Sequence, residues 1–143
     1  MPEPLIGRDP LIEAIMTFLS SQEPHTLSGM RETLEREIDA AGPDAVIRLG
    51  ERLSNAGADW DFYSAEPLAR RLHHVLADRL LEPDLALDGV EHLQAVADAS
   101  VVICANHLSY SDANLLEVLV HRTGGTAVSN RLTVVRDRRF IRA

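Results

Sequence analysis

The stretch Asn-His-Leu-Ser-Tyr-Ser-Asp at 106–112 gathers side chains that can move a proton. His107 carries a base whose unperturbed pKa, about 6.5, leaves it mostly neutral and competent at neutral pH. A carboxylate at Asp112 can accept from one ring nitrogen, fix the tautomer and stabilise the imidazolium. The other nitrogen is then left to take a proton from a hydroxyl. General-base help of this kind is worth about 10²–10⁴ in rate. Asn106 and Ser109 add hydrogen-bonding groups that can support the pair.

A purely structural role accounts for part of the pattern. Ser109-x-x-Asp112 ahead of the apolar "ANLLEVLV" reads as a capping box, and an acid in the first turn suits the helix dipole. It leaves Asn106 and His107 unexplained. They follow the apolar, β-branched run "SVVICA", which reads as a buried strand. Polar residues at the carboxyl end of a strand sit where open α/β sheets bind ligands.

The elements needed to hold such a loop are legible along the chain. Residues 1–82 read as a helical region. "DPLIEAIMTFLSS" has an Asp9 cap, Pro10 in first helical position and a stripe of Leu11, Ile12, Ile15, Met16, Phe18 and Leu19. "LSGMRETLEREIDAAG" repeats Met30, Leu34 and Ile38 at helical spacing. "PDAVIRLGERLSNAG" is opened by Pro43 and closed by Gly57. "SAEPLARRLHHVLADRLLEP" is capped by Ser64 and stopped by Pro83, with Leu68, Leu72, Val75, Leu76, Leu80 and Leu81 inward. From residue 83 the pattern changes. "LALDG", the short helix "VEHLQAVADA", the strand "SVVICA", the helix "DANLLEVLVHR" ended by Gly124 and Gly125, and the strand "RLTVV" alternate as an α/β domain would.

On these residues the chain resembles the glycerolipid acyltransferases, the family of glycerol-3-phosphate and 1-acylglycerol-3-phosphate acyltransferases. Asn106, His107, Ser109 and Asp112 match the family's first block, which contains the His-x4-Asp motif. "LDGVEHL" is similar to the turn before its strand, with His92 where Asn is frequent. The resemblance implies an α/β fold and transfer of a fatty acyl group from a coenzyme A or acyl-carrier-protein thioester. The acceptor would be the hydroxyl of a glycerol phosphate or lysophospholipid. His107 would be the general base and Asp112 its orienting acid, with Asn106 and Ser109 in support. No metal and no cofactor beyond the thioester substrate is implied.

The resemblance runs from about Asp88 to Val135. The family's Pro-Glu-Gly block does not occur, and "RRFIRA" resembles its acceptor-phosphate block but has Asp137 where Gly is usual. Residues 1–135 hold 10 Arg against 21 acids, and 136–143 hold 4 Arg against 1 acid. A truncated or frameshifted product is the expectation, covering residues 83–143 as a partial acyltransferase-like α/β domain with weak or no activity. Two other functions fit the same residues. One is a non-catalytic helical binding module, and the other an ester or thioester hydrolase using His107 and Asp112 with water as acceptor.

Bulk properties narrow the setting. The 143 residues are 45% hydrophobic but only 4% aromatic, so the core must be aliphatic. A net charge of -8, with every one of the 14 basic residues an Arg, argues against nucleic acid and against simple attraction to an anionic membrane. Cys104 stands alone, so an internal disulfide is impossible and a reducing compartment fits. "MPEPLIGRDP" has no basic segment followed by an apolar one, so no secretory leader is expected. The localisation expected is cytoplasmic, with at most a peripheral contact at the inner face of the membrane.

Other polar and aromatic residues read as structural. Cys104, inside an apolar strand, reads as a small buried hydrophobe rather than a nucleophile. His73 and His74 are adjacent, not at the i, i+4 spacing of a helical metal pair. His121 and Arg122 suit the negative end of their helix. Trp60, Phe62 and Tyr63 read as a packing cluster in a linker.

Overall fold

The computed structural model describes residues 6–22, 27–55, 64–106 and 111–134. Among these residues there are seven helices and no strand. The helices are α1 (Arg8–Gln22), α2 (Met30–Ala41), α3 (Pro43–Asn55), α4 (Pro67–Leu80), α5 (Val90–Ala95), α6 (Asp112–Arg122) and α7 (Thr126–Ser129). The chain divides into two compact units, Met1–Glu82 and Pro83–Ala143.

In the first unit α2 is the central element, packing against α1, α3 and α4. Its Met30, Leu34 and Ile38 recur every four residues, so they stack on one face, and all three are buried. Around them close Leu11, Ile12 and Leu19 of α1, Ala45, Val46 and Leu49 of α3, and Leu68 and Leu72 of α4. Side-chain bridges fix helix directions. Arg8 reaches Asp39 and Arg31 reaches Glu13, so α1 and α2 run antiparallel. Arg79 donates to the carbonyl of Ser28 at 3.4 Å and Arg71 approaches Glu37 at 3.9 Å, so α4 also runs antiparallel to α2.

Local chemistry explains most boundaries. Gly42 stops α2 at φ 81, a conformation that favours glycine, and its N–H donates to the Ile38 carbonyl at 3.1 Å. Pro43 then opens α3 directly. The cap of α4 is Glu66, not Ser64: the Ala69 N–H donates to Glu66 Oε2 at 2.7 Å. Pro67, fixed at the first helical position, forces the cap onto the residue just before it. The Ser64 carbonyl instead accepts from Arg52 Nη2 at 3.0 Å. Two residues counted inward by periodicity lie outward. Phe18 is 56% exposed and Leu80 42% exposed. At 3.6 residues per turn both fall toward the margin of their stripes rather than the centre.

In the second unit α6 and α7 pack together. Val118, Leu119 and Val120 of α6 are buried in succession, as is Ser129 of α7. α6 ends in a glycine motif in which Gly124, at φ 84, donates to the His121 carbonyl at 3.1 Å and Gly125 to that of Val120 at 2.9 Å. α7 was not apparent from periodicity, because four residues hold barely one turn.

The α/β expectation for residues 83–143 is overturned. "LALDG", "SVVICA" and the described part of "RLTVV" form no strand. A strand exists by pairing, and a parallel sheet needs helical crossovers of a dozen or so residues and cover on both faces. Helices of 6, 11 and 4 residues supply neither. The β-branched run instead lies outside any helix or strand and is exposed, with Val102 at 89%. No helix among the described residues is long and apolar enough to cross a membrane.

Candidate functional site

Of the four residues singled out for proton chemistry, Asn106 and Asp112 are described. Asn106 closes an exposed segment that belongs to no helix or strand and is itself exposed. Asp112 is the first residue of α6, where its charge suits the positive end of the helix. His107 and Ser109 lie outside the described residues, as do the "RRFIRA" tail and the Trp60, Phe62 and Tyr63 cluster. The cap of α6 is Ser111, at φ -90 and ψ -8, and its side chain makes no capping hydrogen bond. The helix therefore begins two residues later than a Ser109 cap would set it.

The frame that was to aim His107 is missing. An imidazole is held at a strand end by the ladder behind it, and from Val101 to Asn106 no described backbone group is hydrogen-bonded. No family model, no curated protein and no solved structure matches the chain. The acyltransferase resemblance is thereby corrected. A short pattern of four fixed residues, without its strand or its later blocks, is a motif without its structural context. The thioester donor, the glycerol-phosphate or lysophospholipid acceptor and the assignment as an enzyme fall with it.

No group of three or more His, Cys, Asp or Glu among the described residues could hold a metal ion. His73 and His74 on α4 meet edge to face, with ring centroids 6.2 Å apart. Cys104, expected inside a strand, is exposed. It lost its cover together with Val101, Val102 and Ile103, which are 49%, 89% and 42% exposed.

What the sequence masked is the status of that segment. Residues 99–106 contain no charged side chain, and Val-Val-Ile has high strand propensity. The warning was the shortage of helix around it: too little apolar surface follows to bury both faces of a strand.

Electrostatic order is found in the first unit instead. The Arg8 guanidinium hydrogen-bonds Asp39 and, less strongly, Asp9, and its pKa rises from the usual value. The same hydrogen bond pulls the Asp39 carboxyl below its ordinary 3.8. Arg31 likewise pulls Glu13 below 4.5 through a hydrogen bond and its charge. All four groups face water, so these pairs orient α1 on α2 rather than poise a reaction.

Proposed function

We propose that the chain is a non-catalytic helical binding module. One observation carries the reading: the Val101–Ile103 run, aliphatic and exposed, belongs to a segment whose backbone from Val101 to Asn106 has unused donors and acceptors. Exposed apolar surface of this kind marks interaction sites, and a backbone with unused donors and acceptors can pair with an added strand. Main-chain hydrogen bonds would supply affinity, and the alternating faces of Val101, Val102 and Ile103 would supply selectivity for aliphatic, uncharged sequences.

In this reading residues 1–82 are a separate helical module and residues 83–143 the binding module. Asn106, His107, Ser109 and Asp112 end or follow the binding segment in sequence and supply its polar groups. An exposed thiol at Cys104 suits a reducing, cytoplasmic setting.

The test uses a fluorescent extended peptide of about eight alternating Thr and Val residues, titrated with the full chain under reducing conditions. Saturable binding that is lost in Val102→Pro supports the reading. A flat titration up to the solubility limit of the chain contradicts it.

A further inference from the structure

The acidic chain has an uncharged, apolar and exposed stretch outside its helices at residues 99–106, and its sequence is nearly symmetric in character about its middle. Ala99 and Ser100 precede Val101, Val102 and Ile103, and Cys104, Ala105 and Asn106 follow. We propose that the partner of this segment is the same segment of a second copy, paired antiparallel about a two-fold axis. The proposal rests on the binding-module reading and names its partner.

Three observations favour a second copy. The first is charge. The chain carries -8, so most contacts between copies bring carboxylates together, whereas residues 99–106 hold none. The second is chemical self-complementarity, which a two-fold contact requires. The register that sets Val102 opposite the Val102 of the second copy, as a two-fold axis requires, also sets Val101 opposite Ile103. Ser100 then faces Cys104. Every large apolar side chain thus meets an apolar one, and no charge is enclosed. The third is the state of the backbone. From Val101 to Asn106 none of the described N–H and C=O groups is hydrogen-bonded, so a ladder forms without first breaking another.

Area sets the strength. Five residues a side cover much less than the about 800 Å² per partner of a standard interface. The dimer is therefore weak and concentration-dependent rather than permanent.

Sedimentation equilibrium of the full chain, reduced throughout so that Cys104 cannot form a disulfide, tests the pairing over roughly 5–500 μM, the range that weak interfaces populate. The wild-type average mass should climb toward twice the monomer. Val102→Pro removes a ladder donor and Val102→Lys places like charges near the axis, and both should remain monomeric. With 89% of Val102 exposed, neither change disturbs the core, and unchanged helical circular dichroism verifies that. A wild type that stays monomeric overturns the proposal, as do variants that associate equally well or growth past the dimer into larger species. The Thr-Val peptide separates the two ideas: binding by a strictly monomeric chain sinks the self-pairing and keeps the module, while loss of both sinks both.

Discussion

Arg8 and Asp39, at opposite ends of the α1–α2 pair in sequence, meet in a two-pronged contact: Nε donates to Oδ1 at 2.6 Å and Nη2 to Oδ2 at 2.9 Å. The planar guanidinium matches the carboxylate plane, so the contact fixes the angle of α1 as well as its distance. Both groups are exposed, which limits what the pair adds to stability and makes it sensitive to salt.

A pH dependence follows from the direction of the shift. Arg8 holds the Asp39 pKa below 3.8 in the folded chain. A depressed carboxylate stabilises the fold fully above its unfolded pKa, and the benefit is lost as pH falls through the lower folded value. Thermal unfolding of the wild type and Asp39→Asn should differ by a constant, small Tm gap between about pH 7 and 5, narrowing below about pH 4. A gap that widens on acidification would contradict this.

Leu34 sits at the centre of the α2 stripe and is fully buried. Leu34→Ala leaves a cavity that three neighbouring helices must share. A loss of about 2–5 kcal/mol is expected in urea unfolding, with the slope unchanged. Phe18→Ala, on the exposed margin of α1, should cost far less, because little of its ring leaves water on folding.

The two glycines after α6 should differ. Gly124 has φ 84, and forcing an L residue there costs about 1–2 kcal/mol. At Gly125 an added Cβ would stand 2.8 Å from both the Val120 carbonyl oxygen and the Val120 side chain. Backbone cannot yield as a flexible side chain can, so Gly125→Ala should cost more than Gly124→Ala. Amide exchange along α6 measures this directly, and equal protection in the two variants would refute it.

The helices were readable because their apolar spacing and stop signals agree. Met30, Leu34 and Ile38 declare α2, Pro43 declares the start of α3, and Gly124 with Gly125 end α6 where expected. Strand propensity misled because it describes fit to a half-buried pleated surface, not a preference of the isolated backbone. Val101, Val102 and Ile103 carry that propensity but lack partners among the described residues. The element expected to hold the site was misjudged at the same point. Asn106 was given meaning by a strand end that does not form, while the apolar run before it, taken as mere scaffold, holds the exposed surface.

Hydrogen exchange at the amides of Val101–Asn106 tests the central claim most directly, because exchange reports whether a backbone group is bonded. In dilute reduced protein these amides should exchange as fast as in an unstructured peptide, while Leu34 and Ile38 of α2 stay protected. Slow exchange across Val101–Asn106 in the dilute monomer would mean a paired, buried strand, and would contradict the all-helical account.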